Sequence, residues 1–252
     1  MNNLLDVLVA FYNYNKKKDI DYKITEYLIK NFEHIELIEQ KKVASICQTS
    51  VGHLHKYAQL FGYNTFQDLK KDLIFHKEVK IKQVTKRIGN TDTQRLYSIY
   101  KASFGLDVCI NQTDLFLELK NIADLIKKSN RIFVYGAVYP RAILMNTCVD
   151  LILKGKFIEN YEQLTSVERQ SLTEEDLIIV ISYTGSFITL KTKPFMELNQ
   201  LPCRKIIISQ YANLLEESNS YQLIKLPYTV DNHELNYVLL SIFDLIKYFY
   251  FQ

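Results

Sequence analysis

Ser182-Tyr183-Thr184-Gly185-Ser186 puts three aliphatic hydroxyls and a glycine directly after an apolar run and ahead of a helical pattern. Hydroxyls offer donors, glycine leaves room, and a helix start adds unpaired N–H groups, so the stretch suits an anionic ligand. Gly136 closes a second apolar run in the same way. A different chemistry is offered by Thr49, Ser50, Gly52, His53, His55 and Lys56, a cluster of small, hydroxyl, imidazole and ammonium side chains. On one helix face such groups contact nucleic acid: Ser50 and Lys56 at phosphates, His53 and His55 at base edges. His233-Glu234, at the start of the last helix, is the obvious candidate pair for acid–base work. Asp231 and Glu234 have the spacing of a helix-capping box, which makes His233 a first-turn surface residue. No catalytic residue is therefore assigned. The cysteines, Cys47, Cys109, Cys148 and Cys203, are too scattered for a metal pair and read as small buried hydrophobes. Neither a metal nor a cofactor is expected.

The elements that must position these residues fall into two kinds. Leu4, Leu5, Leu8, Val9 and Tyr12, then Ile24, Tyr27, Leu28 and Phe32, recur at helical spacing. Val43, Ala44 and Cys47 give one short helix an apolar face. Leu54, Tyr57, Ala58 and Phe61 give the next one another, with Thr49 and Ser50 as caps before it and Gly62 as its stop. A helix over 65–80 completes a bundle of about five. Two short helices joined by a tight turn, the second with a polar outer face, have the layout of a helix-turn-helix. Residues 78–109 read as a helical linker, broken around Gly89-Asn90.

Beyond it, strands alternate with helices. A helix is expected over 112–128, a strand over 131–136, and a helix over 141–153 with Pro140 at its first position. A strand over 156–159 and a helix over 162–171 follow. Asp176-Leu-Ile-Ile-Val-Ile181 is the clearest strand. A helix over 187–199, strands over 205–209 and 222–226 with a short helix near Leu214 between them, and a last helix over 233–251 complete the series. Continuous apolar strands between helices imply a parallel sheet covered on both faces. The expected architecture is thus an all-α domain (1–77), a linker (78–109) and an α/β, Rossmann-like domain (110–252).

Composition sets bounds on function. The 252 residues carry a net charge of +3. Residues 1–109 hold 17 Lys+Arg against 12 Asp+Glu, whereas residues 110–252 hold 14 against 16, so the modest basic excess lies with the helical part. No basic region leads into an apolar N-terminal core and no apolar run approaches a membrane span. A reducing, cytoplasmic setting and no membrane partner are expected.

Two stretches carry a family resemblance. T-S-V-G-H-L-H-K-Y-A-Q-L-F-G-Y followed by N-T-F-Q-D-L-K resembles the recognition helix of the RpiR-type (MurR/RpiR) bacterial transcription regulators. Ser50, Tyr57, Phe61, Gly62, Tyr63, Phe66, Leu69 and Lys70 match identically or conservatively. D-L-I-I-V-I-S-Y-T-G-S-F, with R-I-F-V-Y-G and K-I-I-I-S, resembles the sugar isomerase (SIS) domain that follows the helix-turn-helix in that family. The chain departs from the SIS pattern at Ala137-Val138-Tyr139-Pro140, where a glycine/serine-rich loop is usual. It departs also at Phe187, and at Gln210-Tyr211-Ala212-Asn213.

The resemblance implies a DNA-binding transcription regulator rather than an enzyme. Its partners would be a double-stranded operator, a sugar-phosphate effector held by Gly136, Ser182, Thr184, Gly185 and Ser186, and a second copy of the chain in a homodimer or higher oligomer. An SIS domain that serves only as a dimerisation scaffold, and a phosphosugar isomerase, are the alternatives.

Overall fold

The computed structural model describes residues 4–15, 17–104, 110–186, 193–210, 221–227 and 232–252. Two compact units divide the chain. The N-terminal unit comprises Met1–Gly89 with Cys148–Phe157, and the C-terminal unit comprises Asn90–Thr147 with Ile158–Gln252.

The N-terminal unit is helical: α1 (Leu4–Tyr14), α2 (Ile20–Lys30), a 3-10 segment (Phe32–Leu37), α3 (Gln40–Ile46), α4 (Val51–Gln59) and α5 (Phe66–Gly89). Its core is made by the faces that periodicity marks, including Leu5, Leu8, Ile24, Leu28, Phe32, Val43, Leu54, Tyr57, Phe66 and Leu69, all at most 1% exposed. Tyr57 is polar at its tip, so burial requires a partner. Thr25 Oγ1 lies 2.7 Å away. That threonine hydroxyl spends its proton on Asp21 O, so the phenol donates. α5 differs from the expected helix over 65–80. It runs unbroken to Gly89, because Leu73, Val84 and Ile88 continue the buried face through a lysine-rich surface. Asp150, also of this unit, is fully buried and paired with Arg87 (2.8 Å) and Lys80 (3.4 Å) of α5.

The C-terminal unit is an α/β fold, a parallel five-stranded sheet with helices. In chain order come α6 (Thr93–Ala102), α7 (Gln112–Lys128), β1 (Ile132–Gly136), α8 (Val138–Ile152, of which the part up to Thr147 belongs to this unit), β2 (Ile158–Asn160), α9 (Ser166–Gln170), β3 (Leu177–Ser182), α10 (Lys193–Gln200), β4 (Arg204–Ser209), β5 (Tyr221–Lys225) and α11 (Asn232–Phe251). The sheet order is β2-β1-β3-β4-β5, every pair parallel. Phe133, Ile178, Val180 and Ile207 share one face with Phe195 and Leu198 of α10. The alternate residues Ile179, Ile181, Ile206 and Ile208 are equally buried, so both faces are covered. Each such side chain contributes about 1.5–3 kcal/mol of burial free energy. α11 packs on α6 and α7 within the unit, and Leu235, Val238, Leu239, Ile242 and Leu245 are fully buried.

At the far edge of the strands Arg131 and Asp176, each just before its strand, pair through Nη2–Oδ2 (2.6 Å) and Nε–Oδ1 (3.0 Å). Thr173 N donates to the same carboxylate at 2.8 Å.

Three expectations change. α8 begins at Val138, not 141, so Pro140 is third in the helix, where its missing N–H is still one the first turn leaves unpaired. The helix expected over 162–171 is a 3-10 turn (Tyr161–Gln163) and the short α9, because Thr165 caps α9 with Glu168 in a capping box. The last helix begins at Asn232. Cys47, Cys148 and Cys203 are buried free thiols, and burial pushes Cys148 up to about 12. Cys109, Phe187, Tyr211, Ala212, Asn213, Leu214 and Asp231 lie outside the described residues. No helix among the described residues is long and apolar enough to cross a membrane.

Candidate functional site

In this strand order the chain leaves β1 for β2 on one side, then returns past it to β3 on the other. The crevice at the carboxyl ends of β1 and β3 is the topological switch point, where such sheets bind ligands. A cavity of about 690 Å³ opens there. Residues of the β1 end line it (Tyr135, Gly136, Ala137), as do Tyr139 and Pro140 of α8, Glu162, Ile181 to Thr184, Ser186, and Asn236 of α11.

Gly136 and Ile181 are register partners. With φ +153 at Gly136, a Cβ there would stand 2.4 Å from Ile181 O. Only glycine lets the two strand ends approach this closely. Gly185, with φ +63, turns the chain after β3 and donates to Ser182 O at 3.2 Å.

The loop between is fastened from two sides. Gln210 N donates to Tyr183 O (3.1 Å), while its Nε2 donates to Pro227 O (2.8 Å). The Tyr183 hydroxyl donates to Asn236 Oδ1 at 2.9 Å. Burial, and then the neighbouring Tyr139, raise the Tyr183 phenol above its ordinary pKa, so it stays a neutral donor. Thr184 Oγ1 donates to Ser186 Oγ at 3.2 Å. On the facing wall Arg141 Nη1 holds Glu162 Oε2 at 2.9 Å. Burial, and then Glu162, raise the phenol of Tyr135.

Ser182, Thr184, Ser186 and Gly136 therefore come together around one cavity, and Gly185 shapes the turn without lining it. Tyr139 and Pro140 form wall rather than filling. Tyr135, Glu162, Tyr183 and Asn236 were not singled out from sequence. Asn236 is a polar amide in a largely apolar helix, a signal that does not say which site it meets. Glu234 is exposed and does not line the cavity, and the His233 side chain lies outside what the structure describes.

The other cluster sits on α4. The chain turns between α3 and α4 through Gln48 at φ +54, and Thr49 N donates back to Ala44 O at 2.8 Å. Ser50 caps α4, accepting from His53 N at 3.1 Å. Gly52 and Lys56 are exposed, and Thr49 is half-buried. The two histidines are half-buried and bonded inward. His53 Nε2 meets Asp21 Oδ1 at 2.9 Å, and His55 Nδ1 accepts from Phe66 N, the first residue of α5, at 3.2 Å. Gly62, at φ +85, follows α4 as the expected left-handed stop. Lys70 donates to Glu36 O (2.9 Å) and Ile38 O (2.6 Å), tying α5 to the end of the 3-10 segment.

Together these features define an α/β domain with a switch-point cavity, carried with a helical unit that presents a capped polar helix. No protein-family model matches the chain, and no curated protein matches it. Among solved structures, it is similar to the Vibrio vulnificus NanR protein complexed with ManNAc-6P, at 16% identity and TM-score 0.42 over 97% of this chain and 90% of that one. It is similar also to a Bacteroides fragilis protein assigned as a phosphosugar isomerase involved in capsule formation, at 20% identity and TM-score 0.39 over 61% of this chain and 85% of that one.

Proposed function

We propose that the chain is a DNA-binding transcription regulator of the RpiR type whose SIS-like domain takes a phosphorylated sugar or related metabolite. The observation that carries the effector half is the open switch-point cavity, walled at its β3 side by Ser182, Thr184, Ser186 and Asn236. The sequence resemblance and the capped α4 support the DNA half. In this reading α3 and α4 form a helix-turn-helix. Lys56 and Ser50 take phosphates, as do Lys41 and Lys42, exposed in the first turn of α3. Thr49 and Gly52 let the backbone approach. His55, accepting at Nδ1, carries its proton on Nε2 and presents a donor to a base edge. His53 reads a base only by leaving Asp21. Two copies of the chain act together on a two-fold operator.

The protein acts by binding rather than by turnover. The acid–base candidate Glu234 is exposed and is not among the residues lining the cavity, and the Glu162 that lines it is held by Arg141. The cavity's openness favours an effector site over the scaffold reading.

Selection from a random pool of double-stranded DNA tests the proposal. Enrichment of a two-fold motif, bound by a dimer with affinity that falls as salt rises, is the expected result. A protein that enriches no sequence and retards no DNA at low salt overturns it.

A further inference from the structure

The two walls of the cavity differ in chemistry. The β3 side and α11 contribute three aliphatic hydroxyls and an amide. Because Asn236 Oδ1 accepts from Tyr183, the donor end of that amide is the part left to serve a ligand. The opposite side, from the turn after β2, contributes a carboxylate. No lysine or arginine is among the described residues that line the cavity. Arg141, 17% exposed, stands behind Glu162 and neutralises it. Glu162 is thus an oriented acceptor for neutral donors rather than an unpaired charge awaiting a cation. Tyr135, packed edge-on against Tyr161 at a centroid distance of 5.9 Å, offers an aromatic surface beside it.

We infer that Glu162, held by Arg141, is the specificity-determining acceptor of this cavity, selecting among phosphorylated ligands those that carry hydroxyl groups at the end remote from the phosphate. The inference rests on the effector site proposed above, with the ligand's phosphate end at the hydroxyl donors of Ser182, Thr184 and Ser186. A polyhydroxylated phosphate satisfies both walls. An alkyl phosphate of equal length turns hydrocarbon to the Glu162 carboxylate, which costs affinity because the oxygen not held by Arg141 loses water without gaining a donor.

Calorimetric titration of the full chain tests this with five probes: inorganic phosphate, n-hexyl phosphate, glucose 6-phosphate, glucosamine 6-phosphate and N-acetylmannosamine 6-phosphate. At least one hexose phosphate is expected to bind tenfold or more tighter than n-hexyl phosphate. Glu162→Ala is expected to reduce that ratio to about two, through lost hexose phosphate affinity, and Arg141→Met to reduce it in the same direction. Glu162 is half exposed at the cavity rim, so the variant keeps its fold, which circular dichroism checks. Equal affinity for hexyl and hexose phosphates, or a ratio that survives Glu162→Ala, overturns the inference and leaves the effector proposal standing. Failure of all five probes to bind overturns both.

Discussion

Gly136 faces Ile181 across the ends of β1 and β3 so closely that a Cβ would sit 2.4 Å from the Ile181 carbonyl oxygen. The cavity begins at this contact. Gly136→Ala must push the strand ends apart at a φ that side chains rarely adopt. The expected loss is about 1–3 kcal/mol in urea unfolding, with loss of ligand binding. An Ala variant that keeps both stability and binding contradicts the tight approach.

Asp176 is nearly fully buried, and burial alone would raise its pKa. The Arg131 guanidinium and the Thr173 N–H outweigh burial and hold it below the usual carboxylate range. A folded pKa below the unfolded one contributes stability that is present above the unfolded value of about 4 and is lost as pH falls through the folded one. Wild type should therefore lose stability on acidification more steeply than Asp176→Asn, measured by urea midpoints from pH 6 to pH 2. Arg131→Ala, which strands the carboxylate, should cost about 3 kcal/mol at neutral pH. Parallel acid limbs for wild type and Asp176→Asn would remove the pair from this role.

The α4 residues divide by their contacts. Lys56 is exposed, so Lys56→Ala should leave thermal stability unchanged while weakening all DNA sequences alike. It should also lower the salt slope of binding by about one. His55 bonds to the first N–H of α5, so His55→Ala should cost about 1 kcal/mol of stability besides any change in base preference. Fluorescence anisotropy against salt, with thermal melts alongside, separates the two. A Lys56→Ala protein with unchanged slope and altered sequence preference would reverse the assignment.

Local pattern alone was enough for some elements and not for others. The helix over 112–128 was legible because Leu119, Ile122, Ala123 and Ile126 recur on one face, and the structure buries all four. β3 was legible because five consecutive apolar residues, four of them β-branched, read as a strand covered on both faces. α5 was cut short because its lysine-rich solvent side reads as linker, although its buried residues continue to Ile88. In the site, Ser182, Thr184 and Ser186 follow the strongest strand and could be found locally. Glu162 and Asn236 could not. The sheet order brings the turn after β2 and the start of α11 to the ends of β1 and β3, and no short-range spacing encodes that meeting. The inward bonds of His53 and His55 depend likewise on Asp21 and Phe66, residues 32 and 11 positions away.

Thermal unfolding of the purified chain against a panel of sugar phosphates, amino-sugar phosphates and their unphosphorylated sugars tests the central claim most directly. A ligand that binds only the folded state adds about 2.7 kcal/mol at a hundredfold excess over its dissociation constant. A clear upward shift is expected with at least one phosphorylated sugar, none with its unphosphorylated counterpart, and loss of the shift in Ser182→Ala and Thr184→Ala. No shift across the panel, in a protein that still retards DNA, would contradict an effector site at the switch point and leave the sheet domain as a scaffold.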